Sequence, residues 1–183
     1  LGSYNQTNGK SPQVNRVWCS GAETHGGDLQ KQYTDGNYAE VWFKAANIEI
    51  SDQAISNEGY FSANDDLSKK TVYPSEVIPF MDKFKILMGD GSEEDNLVDF
   101  ENKDFFYTVI DGTRRWVAYK TTNSGVTSPN SSNTRTELHE KREWVPEEGG
   151  KLTGTCKVMH ISTTGDARVA ASFSTVVGQI HSG

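Results

Sequence analysis

Three ionisable side chains occupy alternate positions of one short, strand-like segment, as Arg135, Glu137 and His139. Because successive side chains of a strand point to opposite faces, these three would share one face, while Thr136 and Leu138 share the other. An arginine, a carboxylate and an imidazole on one face can bind an anion and transfer a proton. A solvated sheet face with a salt bridge has the same pattern, so the segment alone does not identify a site.

A second polar group ends the apolar, β-rich run that begins near Val169. Gln179 and His181 would share one face of this strand, with Ile180 on the other. A polar strand end is ordinary, and a lone histidine more often has a structural role. The two segments together, rather than either alone, indicate a site.

Read together, the segments resemble the alginate lyases of polysaccharide lyase families seven and eighteen. Those enzymes carry an Arg-[Ser/Thr]-Glu-Leu-[Arg/Lys] strand and a Gln-[Ile/Val]-His strand, which stand here at residues 135–139 and 179–181. The resemblance extends in order from about Phe84 to the end of the sequence. Its further stretches are Trp116 to Lys120, Thr127 to Ser132, Gly154 to Val158 and Val176 to Gly178.

The resemblance implies cleavage of the acidic polysaccharide alginate by β-elimination. Removal of the weakly acidic C5 proton of a uronate requires that the neighbouring carboxylate be neutralised. Arg135 offers a planar fork of donors for this task, and Gln179 offers an uncharged donor. His181 is the expected base. Glu137 and His139 are the expected substrate-binding residues, and Glu137 is also expected to hold the arginine.

Two features depart from the family pattern. A histidine stands at position 139, where a permanently charged arginine or lysine is usual, so we expect substrate binding to be sensitive to pH. In the family, a tyrosine from a later strand acts as the acid, and no such strand follows His181. We expect this strand on a second chain, a C-terminal fragment of the same protein produced by a nick after Gly183.

The composition favours one all-β domain. The sequence has 183 residues, of which 34% are hydrophobic, and it is rich in glycine and small polar residues. This mixture is typical of many short strands joined by polar turns, with little helix. We therefore interpret residues 1–183 as a single domain. The resemblance specifies a β-jelly roll, in which two packed antiparallel sheets form a concave substrate groove, incomplete here without its C-terminal strands.

A hairpin is the clearest local prediction. Strands over Phe105–Ile110 and Trp116–Lys120 flank Asp111-Gly112, and glycine supplies the positive φ that a tight hairpin turn requires. Residues 1–37 are predicted to be irregular apart from one short strand. Further strands are predicted at Val14–Trp18, Tyr38–Ile50, Leu152–Ile161 and Val169–His181.

The charge balance excludes some partners. The formal net charge is -7, so the chain lacks the basic excess that nucleic acid or an anionic membrane surface would require. No apolar run approaches the length of a membrane span, and residues 1–3 do not have the pattern of a signal peptide. We expect an exported protein whose signal has been removed, either extracellular or periplasmic.

No cofactor is expected, because elimination needs no metal once the carboxylate is neutralised, and the four histidines lack ligand spacing. The acidic stretch 93–95 leaves a structural calcium ion open, although a solvated loop is the commoner explanation. Cys19 and Cys156 could form a long-range disulfide or be two buried thiols.

Three other functions compete with alginate cleavage. A lyase for another polyuronate, such as glucuronan, would use the same groove chemistry. A non-catalytic carbohydrate-binding jelly roll would not need Arg135, Gln179 and His181 together. A glycoside hydrolase needs two carboxylic acids flanking one bond, but Glu137 and Glu140 would lie on opposite faces of their strand.

Overall fold

The computed structural model describes residues 12–19, 29–50, 53–54, 72–78, 80–123, 126–127, 133–142, 151–163 and 175–180. Within these ranges, residues 12–19, 45–50, 53–54, 151–153 and 179–180 are described by their backbone alone. His25, His181 and residues 164–174 lie outside the described residues.

Five antiparallel strands form the first sheet. They are β1 (Pro12–Cys19), β4 (Phe84–Leu87), β5 (Glu93–Glu94), β8 (Thr134–Glu140) and β10 (Gly178–Ile180). Their order across the sheet is β10-β1-β8-β4-β5, so β8 occupies the centre. The pairing of β1 with β8 contains one irregularity, between Val14 and Arg16.

The second sheet is also antiparallel. Its strands are β2 (Tyr38–Ile50), β3 (Gln53–Ala54), β6 (Phe106–Asp111), β7 (Arg114–Thr122) and β9 (Lys151–His160). The order is β3-β2-β7-β6, and β9 pairs with β2. The predicted all-β class, with the two antiparallel sheets of a jelly roll, is confirmed.

Helices are few, as predicted. They are α1 (Leu29–Asp35), α2 (Pro74–Val77) and a 3-10 turn at Met81–Lys83. The prediction that residues 1–37 are irregular apart from one strand was wrong at α1. This short helix depends on tertiary contact, since the Tyr33 hydroxyl donates to the Asp104 carbonyl oxygen at 2.5 Å, and packing rather than propensity stabilises most short helices.

Apolar side chains from both sheets fill the space between them. On β2, Val41 and Phe43 are buried as the predicted alternation requires, although Lys44 on the opposite face is also only 8% exposed. The core cluster comprises Ala39, Val41, Phe43, Ile78, Phe80, Met81, Phe84, Ile86, Met88, Leu97, Phe105, Phe106, Val117, Tyr119 and Leu138.

The predicted hairpin is confirmed as β6 and β7. Asp111 pairs with Arg114, which leaves Gly112 and Thr113 as the two turn residues. Gly112 has a φ of 61°, and only this first turn residue has a positive φ, as a type II′ turn requires.

The other predicted strands have mixed outcomes. The strands predicted at residues 14–18, 38–50 and 152–161 correspond to β1, β2 and β9. Of the strand predicted from Val169 to His181, the described residues include only β10.

Candidate functional site

The three ionisable residues of β8 lie on one face and contact one another, as predicted. The Nε2 atom of His139 is 2.7 Å from Oε1 of Glu137. The same carboxylate oxygen lies 3.6 Å from a terminal guanidinium nitrogen of Arg135. Because the core-facing side chains Thr136 and Leu138 are fully buried, this trio lies on the outer face of the first sheet, which we call the site face.

Burial makes Glu137 the centre of this trio. Its side chain is 0% exposed, whereas those of Arg135 and His139 are 13% and 26% exposed. A buried carboxylate must be compensated by a cation or by hydrogen bonds. Where this carboxylate is ionised it can only accept, and Nε2 of His139 is then the donor. Glu137 therefore orients both the guanidinium and the imidazole toward the more open part of the site face.

Side-chain hydrogen bonds connect the core-facing side of β8 to β7 of the second sheet. The Thr136 hydroxyl donates to the carbonyl oxygen of Lys120 at 2.7 Å. The Thr134 hydroxyl donates to the carbonyl oxygen of Thr122. Both threonines are fully buried. The alternation of β8 thus gives one face to the site and the other to a polar connection with β7.

The strand register brings the second predicted motif into the same row. Gln13 of β1 pairs with His139 on one side and with Gln179 on the other. Neighbouring strands lie about 4.8 Å apart, so residues 139 and 179 are separated by two such spacings, roughly 10 Å. The backbone therefore places the two motifs close together across the sheet. His181 follows β10 and lies outside the described residues.

Lys85 is a charged residue of the site face that the sequence analysis missed. It pairs directly with His139 across β4 and β8, and β4 alternates between buried Phe84 and Ile86 and partly exposed Lys85 and Leu87. The Nζ atom of Lys85 is 3.3 Å from a carboxylate oxygen of Glu93. The only sequence signal for Lys85 was the alternation of apolar and polar residues within the four residues of β4.

The acidic stretch after β4 makes local contacts. Beyond the ion pair between Glu93 and Lys85, an oxygen of Glu94 accepts from the backbone of Asn96 at 2.8 Å. Within the described ranges, no three potential metal-binding side chains come together. The described contacts of Glu93 and Glu94 are thus with groups of the same loop and of β4.

Glu140 lies on the opposite face of β8 from Glu137. It pairs with Phe84, and its side chain is largely buried. Burial raises the pKa of Glu140, while the charges of Arg142 and Lys83 act in the lowering direction. The two glutamates therefore do not flank one bond, in agreement with the argument against a hydrolase.

Tyr107 and Tyr119, two strand tyrosines whose hydroxyls could in principle supply an acid, lie away from the site face. Tyr119 is fully buried in the core. Tyr107 belongs to the outer face of the second sheet, and its hydroxyl donates to Glu40 at 3.4 Å. Burial, followed by the charge of Glu40, raises the pKa of Tyr107. Both hydroxyls are thus unsuited to protonate a leaving group bound at β8.

His160 and Cys156 are two residues of β9 with potentially reactive side chains. His160 stacks on Tyr38 with ring centroids 4.1 Å apart, and its Nε2 lies 3.2 Å from the carbonyl oxygen of Gly36, which is a packing role. Cys156 is an exposed free thiol on β9. The disulfide between Cys19 and Cys156 that the sequence left open is therefore not formed.

Comparisons with known proteins converge on one family. A family model described as alginate lyase matches residues 80–183, which contain both motifs. No curated protein matches the chain. Among the helices in the described part of the chain, none is long and apolar enough to cross a membrane.

One solved structure is similar to this chain. It is the crystal structure of the exolytic PL7 alginate lyase AlyA5 from Zobellia galactanivorans, with 54% sequence identity and a TM-score of 0.49. The similarity covers 55% of this chain and 32% of that one. This chain thus spans about a third of the length of that structure.

Proposed function

The chain belongs to the alginate lyase family, and from this premise we propose that it forms part of an enzyme that depolymerises alginate by β-elimination. The observation that carries the proposal is the site face of β8, where Arg135 and His139 both contact the buried carboxylate of Glu137. A row of register partners connects this group to Gln179. Such a face offers donors and positive charge to an anionic sugar.

Neutralisation of the substrate carboxylate is the proposed task of Arg135 and Gln179. Arginine can donate two parallel hydrogen bonds to a carboxylate, and a glutamine amide donates without adding charge. These interactions strengthen as negative charge develops on the carboxylate during proton removal, so they lower the barrier. Glu137 is the proposed positioning residue, because its buried carboxylate lies 3.6 Å from the Arg135 guanidinium.

Proton transfer is the proposed task of His181 and of a tyrosine outside these 183 residues. The imidazole of His181 takes the C5 proton, and the electron pair of the C–H bond forms a C4–C5 double bond. The C4–O4 bond breaks, and the tyrosine protonates the departing O4. The reaction consumes no water and requires no metal or other cofactor, since side chains supply the neutralising groups.

We further propose that a C-terminal segment of the same protein completes the fold as a second chain. The support is the open edge of the first sheet, because among the described strands β10 pairs only with β1. A strand added at this edge would lie next to Gln179 and could present the acid tyrosine to the site. The proposed enzyme acts outside the cytoplasm, where alginate occurs as a polymer, in the extracellular space or the periplasm.

Ultraviolet absorbance of the unsaturated product tests the proposed function. The full-length protein and its His181→Ala variant are offered alginate, poly-guluronate, poly-mannuronate and glucuronan. We expect absorbance to rise with an alginate substrate and kcat to fall by about 10²- to 10⁴-fold in the variant. A response to glucuronan alone would assign another polyuronate as substrate. Binding of alginate with no absorbance from any polymer would favour a carbohydrate-binding module.

A further inference from the structure

We propose that Lys85 forms an additional subsite for a uronate carboxylate, one strand away from His139. The inference rests on the proposed function, and it extends the binding surface beyond the two motifs to β4. The proposed ligand is a carboxylated sugar residue remote from the bond that is cleaved.

Lys85 lies on β4, directly beside the central strand β8 that carries His139. Lys85 pairs with His139 in the register of β4 and β8, and directly opposed residues of antiparallel strands lie on the same face with Cβ atoms about 5 Å apart. The buried neighbours Phe84 and Ile86 point into the core. Lys85 therefore projects from the site face beside the imidazole.

Lys85 belongs to a row of paired residues that runs across the strands of the first sheet. Lys85 pairs with His139, His139 with Gln13, and Gln13 with Gln179. This row crosses four strands, a distance of roughly 14 Å at about 4.8 Å per spacing. It is longer than one sugar ring, so a polymer lying across the strands at Gln179 would reach Lys85 with a different sugar residue.

The ammonium group of Lys85 is accessible to a substrate carboxylate that could replace Glu93 as its partner. Its side chain is 38% exposed, and that of its partner Glu93 is 54% exposed. An exposed ion pair of this kind contributes little to stability. A lysine is also a compact charge on a flexible stem. A substrate carboxylate can therefore replace Glu93 as the partner of Lys85 at little cost.

If the ion pair between Lys85 and Glu93 had a purely structural role, substitutions of its two members would affect substrate binding differently from what the subsite predicts. In that case the ion pair only joins β4 to β5, and removal of either partner has the same consequence. If Lys85 binds substrate, its partner Glu93 competes with the sugar carboxylate, and the two removals act in opposite directions. The chain offers a matched control in Lys157, which is ion-paired with Asp111 on the other sheet at 41% and 46% exposure.

The test compares Lys85→Gln, Glu93→Gln and Lys157→Gln in the full-length protein. KM and kcat are measured on alginate oligosaccharides of increasing length, and affinity for the same oligosaccharides is measured by calorimetry in the His181→Ala background. We expect Lys85→Gln to raise KM and Kd roughly threefold to fivefold for long oligosaccharides and to have no effect on the shortest cleaved one. Glu93→Gln should lower both, and Lys157→Gln should change neither.

The outcomes separate this proposal from the proposed function. If the wild type is active and Lys85→Gln behaves like Lys157→Gln, the subsite is refuted and the lyase stands. If Lys85→Gln and Glu93→Gln weaken binding equally, the ion pair is structural and the subsite is likewise refuted. A wild type that binds alginate through Lys85 without cleaving it retains the subsite and loses the lyase. Absence of both binding and cleavage overturns both.

Discussion

Position 139 determines whether the site face carries a permanent cation beside Glu137. The fully buried carboxylate of Glu137 lies 2.7 Å from the imidazole of His139. An arginine or lysine in place of His139 would be charged throughout the neutral range. Imidazole is the side chain that changes its charge between about pH 5 and 8. When His139 is neutral, the site face offers an anionic sugar one cation fewer.

This dependence predicts the behaviour of His139→Lys. Lysine stays charged throughout the neutral range, so we expect KM for alginate to vary less with pH in the His139→Lys variant than in the wild type. The pH profile of kcat, set by the base, should keep its shape. Initial rates measured from pH 5 to 8 test this. A KM profile of the same slope in both proteins would contradict the substrate-binding role.

Glu140 should limit stability rather than activity. Burial raises the pKa of this carboxyl, so folding disfavours its ionised form. The destabilisation is absent below the unfolded pKa, where both states are protonated, grows as pH rises above that value, and is complete above the folded pKa. Glu140→Gln should therefore raise Tm at neutral pH, on the order of 2 °C, and have no such effect near pH 4.

Thermal unfolding at both pH values measures this difference. The control is Glu101→Gln, which changes the same charge at a partly exposed position. An equal rise in Tm for both variants would attribute the effect to net charge, not to burial of Glu140.

The predicted residues differ in how strongly local sequence determines their position. Alternation alone placed Arg135, Glu137 and His139 on one face, because strand geometry fixes the direction of every second side chain. The proximity of Gln179 depends on β1, which lies between the two motif strands and is distant in sequence from both. Lys85 was missed because a single lysine in a short alternating strand has no motif.

Strand β8 owes its fixed position to polar contacts on its buried face. Thr136, fully buried, donates to the carbonyl oxygen of Lys120 at 2.7 Å. Removal of this donor leaves a partly buried carbonyl oxygen with one partner fewer, which costs about 1–3 kcal/mol. A valine has nearly the same shape and strand propensity, so it isolates the hydrogen bond from packing.

We therefore expect Thr136→Val to lower the free energy of unfolding by about 1–2 kcal/mol. It should also lower kcat/KM, because β8 carries Arg135 and His139 toward the substrate. Urea unfolding midpoints measure the first effect, and the absorbance assay measures the second. Thr155→Val on β9 is the control, since Thr155 is an exposed strand threonine. Equal stability of the two variants would show that the contact with Lys120 contributes nothing.

At the level of elements, the hairpin was predictable and the first helix was not. Glycine at position 112 follows from the backbone geometry of a two-residue turn, which depends on a few adjacent residues. Helix α1 is short, and its contact between Tyr33 and Asp104 joins residues that are distant in sequence. Local patterns cannot reveal an element that tertiary contacts stabilise.

The inward face of the second sheet extends beyond the cover that the first sheet provides. On β9, Cys156 and Val158 pair with the core residues Phe43 and Val41, so all four share the face that points toward the first sheet. Cys156 is nevertheless exposed, and Val158 is 52% exposed. An apolar surface in this position is a candidate contact surface for another polypeptide segment.

Reactivity of Cys156 tests whether the proposed second chain supplies that cover. In a Cys19→Ser background, a maleimide reagent should modify Cys156 quickly in the 183-residue chain and about tenfold more slowly once the C-terminal fragment is bound. A cysteine introduced by Thr155→Cys in a Cys156→Ser background is the control. Thr155 pairs with Lys44, on the other face of the sheet, so its modification should be equally fast in both forms. Equal protection at both positions would indicate general tightening of β9, and no protection at Cys156 would place the C-terminal fragment elsewhere on the protein.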